Sequence, residues 1–176
     1  MHNNKGAIMR FINLIVIGAL FFCSSCSKTE YEKKRDLENK IIGQTWRQLE
    51  KEKNLIPAGE GGSIVEGNEF VGLYFQYFNP LTIDEARELV IYAAETFLHN
   101  LNSNEKLNEL IAHPYPMNWI EIKIFTYNPD YSDIEPPGIS IVKFRRNNLE
   151  YVTDENKKFK IIHKETYQEA LEKLKK

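Results

Sequence analysis

Thiols, imidazoles, paired carboxylates and glycine-rich loops are the groups with which a short chain does chemistry, and this chain of 176 residues has few of them. Its two cysteines, Cys23 and Cys26, both stand near the amino terminus. Of its four histidines, His99, His113 and His163 lie beyond residue 25, and none is spaced with another His, Asp or Glu in a metal-ligand pattern. His99 falls at the end of a predicted helix, where a cap or dipole role accounts for it. His113, beside Tyr115 and two prolines, is the best placed of the three to line a pocket, although a structural role is the simpler account. Gly61-Gly62-Ser63 lacks the second glycine of a nucleophile elbow, and residues 59–63 lack the Gly-Lys-Ser/Thr ending of a phosphate loop. Glu85 and Glu88 share the start of one helix, as dipole-favoured surface charges do. Asn128, Asp130 and Ser132 alternate as calcium ligands would, but the sixth and twelfth places of that loop hold Asp133 and Ile139 instead of Gly and Glu. Asp130, Asp133 and Glu135 therefore read as a solvated turn. No catalytic residue, metal or cofactor is expected.

Composition agrees with a folded, non-nucleic-acid-binding protein. The chain is 42% hydrophobic, 27% charged and 12% aromatic, too apolar for a disordered one, and its formal net charge is −2. Residues 1–25 carry Lys5 and Arg10 and no acid; the remaining 151 residues hold 21 Lys and Arg against 25 Asp and Glu, a net charge of −4. Such a balance offers no basic surplus for nucleic acid. A domain of that size buries roughly two-thirds of its unfolded surface, enough for its own core.

After Lys5 and Arg10 comes Phe11 to Phe22, 12 residues of which only Asn13 is polar. At 1.5 Å per residue this run reaches roughly 18 Å, short of the ~30 Å hydrocarbon layer, so it reads as the apolar region of a secretory signal and not as a membrane span. Cys23-Ser24-Ser25-Cys26-Ser27 follows. This stretch resembles the lipobox of bacterial lipoproteins, in which small residues precede a cysteine that becomes the new amino terminus. Ser24 and Ser25 make Cys26 the modified residue, whereas Cys23 follows the bulky Phe21 and Phe22. The departure is Cys23 itself, standing where the family usually carries Leu or another aliphatic residue.

The resemblance implies that residues 1–25 are removed and that the Cys26 thiolate takes a diacylglyceryl group as a thioether, with acylation of the freed amine. Several chains, each burying methylenes at about 0.8 kcal/mol apiece, anchor effectively permanently. The partner is then the membrane, through the lipid at Cys26. Ser27 fits sorting to the outer membrane, facing the periplasm, with the inner membrane as the alternative. With Cys23 removed and Cys26 lipidated, no thiol is left for a disulfide, a zinc site or a nucleophile.

Residues 26–36 read as the lipidated cysteine and a charged tether, in which Lys33, Lys34 and Arg35 are offset by Glu30, Glu32 and Asp36. Residues 37–176 read as a single α+β domain. Leu37, Ile41, Ile42, Trp46 and Leu49 predict a long N-terminal helix ended by Pro57 and the glycines of 59–63. Aromatics favour a strand within Ile64–Phe78, with a turn at 66–69. Thr82 and Glu85 form a capping box for a helix over 82–101, and a shorter helix is expected over 104–112. Ile120, Ile122 and Ile124 alternate with Glu121 and Lys123 in a half-buried strand over 119–127. Ile139–Arg146 and Leu149–Thr153 predict a hairpin turning at Asn147-Asn148, followed by a short strand over 159–163 and a helix opened by Thr166 and Glu169. This order suggests an antiparallel sheet of four or five strands with helices packed against it.

The most suggestive feature is the aromatic run. Alternation sends Leu73, Phe75 and Tyr77 to one face and Phe70, Tyr74 and Phe78 to the other, so a sheet with one wet face would show a Tyr/Phe row fit for a sugar, a peptide or a protein. The competing account is that these rings fill a core. Phe70, Tyr74 and Phe78, with His113 and Tyr115, are the candidate binding residues. The chain thus reads as an envelope lipoprotein carrying a non-catalytic binding or structural module. Its rivals are a carrier of a small apolar ligand, which needs an enclosed cavity, and an envelope hydrolase, which needs converging carboxylates.

Overall fold

A capping box begins the first helix earlier than its apolar stripe does. In a computed structural model that describes residues 28–63 and 70–175, the Thr29 hydroxyl accepts from Glu32 N at 3.2 Å, while Thr29 N donates to Glu32 Oε2 at 2.8 Å. Helix α1 therefore runs Glu30–Lys53, and residues 30–36, expected as tether, are helical. The signal and lipobox stretch lies outside the described residues, as does the expected 66–69 turn. The chain falls into two units, Met1–Lys33 and Lys34–Lys176.

The domain is α+β: among the described residues, four α-helices and one six-stranded sheet in the order β1-β2-β3-β4-β5-β6. The strands are β1 Ile56–Ser63, β2 Phe70–Tyr77, β3 Ile120–Thr126, β4 Ile141–Arg145, β5 Asn148–Glu155 and β6 Lys158–Thr166. The sheet is mixed, which corrects the all-antiparallel expectation of four or five strands. Helix α2, Ile83–Asn102, occupies the connection from β2 and returns the chain to the same end, so β3 runs parallel to β2 while every other pair is antiparallel. The additional strand is β1, whose glycines looked like a helix breaker. It survives because it is an edge strand with a bulge between Pro57 and Gly59, where a missing ladder donor is tolerated.

Local signals fixed the other ends. Thr82 caps α2 and Thr166 caps α4, Tyr167–Leu174, each through a complete capping box. The β4–β5 turn comes one residue earlier than expected: Arg146 and Asn147 take φ of 49° and 59°, as a type I′ turn requires at both places, and Asn148 already belongs to β5. Between Asn102 and Pro114 only one turn of helix forms, α3 at Glu105–Asn108, because Leu107 alone of its apolar residues is fully buried.

The helices cover one face of the sheet. Leu73 and Phe75, the three isoleucines Ile120, Ile122 and Ile124, and Val142 and Phe144 point inward and meet Ala86, Val90, Ala93, Ala94 and Phe97 of α2. Ile41, Ile42 and Leu49 bring α1 into the same core. Side-chain bonds tie α1 to α2, from Tyr92 Oη to Glu52 at 2.7 Å and from Asn100 Nδ2 to Thr45 and Gln48 at 3.0 Å. Ile134, Ile141 and Val152 are buried but stand outside this core; Ile141 and Val152 face outward, and Ile134 belongs to the 128–139 loop folded against that end. No helix among the described residues is long and apolar enough to cross a membrane.

Candidate functional site

Strand alternation leaves the second face of the sheet to polar residues, and the register aligns them into rows. Tyr74 pairs with Lys123, Lys123 with Lys143, Lys143 with Glu150 and Glu150 with Lys164, so one row crosses five strands. The next row carries Gly61, Gly72, Glu121, Arg145 and Asn148. With Arg146, these charged side chains line an open concavity of about 600 Å3 built from strands and one turn.

Glu121 is its centre. Only 1% of it is exposed, although it lies on the uncovered face, because its neighbours fold over it. Lys123 Nζ stands 2.7 Å from Oε1, and Tyr74 Oη donates to the same oxygen at 3.2 Å. Arg145 Nε lies 3.0 Å from Oε2, close enough for charge pairing but off hydrogen-bond alignment, and Oε2 receives no hydrogen bond among the described residues. Burial pulls the Lys123 ammonium down, yet the Glu121 carboxylate outweighs it and holds that group above its ordinary value. Burial, then Glu121, pushes the Tyr74 hydroxyl up.

The glycines of β1 and β2 make this arrangement fit. A Cβ at Gly61 would stand 2.2 Å from Tyr74 Oη, so the ring occupies the space that a side chain on the edge strand would fill. Lys123 rests over the Tyr74 ring at 4.4 Å and Arg145 over Phe70 at 5.0 Å. The aromatic row of β2 thus supports cations, and its rings are half-buried under them.

Lys123 and Lys143 are direct cross-strand partners of like charge, an arrangement that destabilises a sheet. Lys123 is committed to Glu121, whereas Lys143 has no ion-pair partner among the described residues. Lys143 also faces the opposite charge of Glu150 on β5, so Lys143→Met, which removes one repulsion and one attraction, should leave the fold intact and its unfolding free energy within about 0.5 kcal/mol of wild type in urea titrations; a loss of 1 kcal/mol or more would mean that Lys143 supports the fold.

The five candidate binding residues do not form one surface. Phe70 and Tyr74 share the open face. Phe78 lies beyond the end of β2, about 13 Å along the strand from Tyr74, and packs on Tyr127 at 5.6 Å and Tyr131 at 4.8 Å. Tyr115 is only 5% exposed and serves the helical layer: its hydroxyl donates to Glu38 of α1, and its N–H donates to Asn102 Oδ1 at 2.8 Å. Burial, then Glu38, pushes that hydroxyl well up. His113 packs edge-on against Trp119 at 5.6 Å beside it. In the 128–139 loop, Asp130 accepts from Ser132 N at 3.0 Å and Asn128 Nδ2 donates to the Ser132 hydroxyl at 3.0 Å, the bonds of a turn. Among the described residues no cluster of three metal-ligating side chains occurs.

A second charged cluster ties the last helix to the domain. Glu165, 4% exposed, accepts from Arg87 Nε at 2.7 Å, Tyr151 Oη at 2.5 Å and Lys173 Nζ at 2.7 Å, with His163 Nε2 at 3.7 Å. Arg87 is itself buried and also donates to Asp84. Its place between α2, β5, β6 and α4 makes it a structural clasp. Neither Glu121 nor Glu165 carries a motif; the signal for Glu121 was its alternation with the isoleucines of β3 combined with the cations of the following hairpin. No protein family, curated protein or solved structure matches this chain.

Proposed function

We propose that the chain is an exported bacterial lipoprotein, anchored in the cell envelope through Cys26, whose α+β domain binds a ligand non-catalytically on the open face of its sheet. The observation that supports the binding reading is an open concavity rich in cations, with Lys143 half-buried in it and outside any ion pair, on a face that no helix of the described residues covers. An anionic group that arrives there would give Lys143 the partner that the fold does not. The carrier of a small apolar ligand finds less support on this face, since the concavity there is open and charged, neither enclosed nor apolar.

The anchoring reading is supported by the order of cations, apolar run, two serines and Cys26. With helix α1 starting at Glu30, only residues 27–29 separate the lipidated cysteine from helical chain. The outer membrane, facing the periplasm, is the location that Ser27 favours. The test is the intact mass of protein extracted from membranes. Wild type should have lost 25 residues and gained an acyl increment, and Cys26→Ala should lack that increment and leave the acylated membrane fraction. Full-length, unacylated wild-type protein would overturn the anchor.

A further inference from the structure

We infer that the free edge of β6 takes an additional strand from a partner protein, an extended segment in which acidic and apolar residues alternate. This contact is separate from the concavity and does not use Lys143. β6 is the last strand of the sheet, so one side of its backbone is bonded to β5 and the other meets no strand among the described residues. Its first five residues, 158–162, are all exposed. Among the described residues seven large apolar or aromatic side chains are exposed, and three of them fall in this stretch: Phe159 at 65%, Ile161 at 49% and Ile162 at 37%. Single exposed apolar residues are ordinary, whereas three clustered on one strand mark an interaction site. The opposite edge of the sheet is closed to the same use, because β1 carries Pro57, which has no N–H, and a bulge beside it.

The register decides what the added strand must carry. Phe159 pairs with Asp154 and Ile161 with Val152 on one face, whereas Lys158 and Lys160 pair with Glu155 and Thr153 on the other. Alternation then sets a partner's apolar residues beside Phe159 and Ile161 and its acidic ones beside Lys158 and Lys160. Lys158 has no ion-pair partner among the described residues, and Lys160 meets Glu155 at 3.4 Å in an exposed pair, which is worth little. A second copy of β6 fits badly. Setting Phe159 opposite Phe159 of an antiparallel copy brings Lys160 opposite Lys158, and setting it opposite Ile161 brings Lys160 opposite Lys160, like charges in both registers. The far end of β6 is fixed by Glu165 through Arg87 and Lys173, so the edge is ordered before a partner arrives.

The experiment is fluorescence anisotropy of a labelled octapeptide of alternating glutamate and valine, titrated with the full chain in detergent and with detergent alone. A peptide of alternating lysine and valine is titrated in parallel. The glutamate peptide should bind the protein and slow amide hydrogen exchange within β6. Phe159→Ala, a change at an exposed position that should cost the fold little, should weaken binding about fivefold, the upper value of one cross-strand aromatic pair. Lys158→Glu combined with Lys160→Glu should weaken binding of the glutamate peptide and strengthen that of the lysine peptide. Equal binding of the two peptides, binding that Phe159→Ala leaves unchanged, binding without slowed exchange in β6, or no binding above detergent alone would each overturn the proposal. So would sedimentation of the peptide-free chain as a dimer that Phe159→Ala dissociates, which would assign the edge to a second copy.

Discussion

Glu165→Ala should lower the unfolding free energy by about 3–5 kcal/mol, the usual cost of removing one partner from a buried charge pair. The reason is what remains. Arg87, at 4% exposure, is left with only the solvent-exposed Asp84 to answer its charge, and the buried hydroxyl of Tyr151 loses its acceptor. For a domain whose stability is typically 5–15 kcal/mol this is a large fraction. The cost belongs to the orphaned partners, so removing them together, in Arg87→Met, Tyr151→Phe and Glu165→Leu combined, should cost less than Glu165→Ala alone. A triple variant that is the weaker of the two in urea would contradict this account.

The same carboxylate sets a dependence on pH. Burial alone would raise it, but Arg87, Lys173 and Tyr151 outweigh burial and bring it from 4.5 to about 2. A carboxyl lower in the folded chain than in the unfolded one stabilises the fold above its unfolded value, and that stabilisation is lost as pH falls from about 4.5 through about 2. The amount is on the order of 3 kcal/mol. Wild type should weaken across this window, and the Glu165→Ala variant should lose that part of the slope.

Phe97→Ala should cost about 3–5 kcal/mol, since it opens a cavity between α2 and the sheet. Phe97 has no exposed surface, and the β3 and β4 side chains of the same core, Ile120, Ile122, Ile124, Val142 and Phe144, are equally enclosed. The denaturation midpoint should fall with the slope unchanged. Phe159, a residue of the same type on the edge strand β6, is 65% exposed, and its replacement by alanine should stay within about 0.5 kcal/mol. Equal effects at the two positions would mean that the core lies elsewhere.

These contrasts show what the chain reveals before folding. Period and capping chemistry are local, so Thr82 with Glu85, Thr166 with Glu169, and the alternation of Ile120, Ile122 and Ile124 could be read directly. The parallel pairing of β2 with β3 depends on where α2 delivers the chain, and β1 depends on having β2 beside it; neither is written in its own residues. The same holds for the site. Phe70 and Tyr74 were legible as one face of a strand, but Lys143 and Arg145 join them only through pairing across β3 and β4. Tyr115 looked like a pocket residue because its neighbours are aromatic and proline-rich; its contact with Glu38, far away in sequence, makes it part of the packing.

If the uncovered face is where the domain meets its ligand, that face should be shielded wherever the ligand is present. Acylation of lysines in intact envelopes and in the purified full chain, read by mass spectrometry, tests this without knowing what the ligand is. The account predicts that Lys143 and Lys164 react several-fold more slowly in the envelope than in the purified protein, while Lys51 and Lys106, exposed on the helices, react alike in both. Equal reactivity of Lys143 in the two states, with the helical lysines also unchanged, would contradict it.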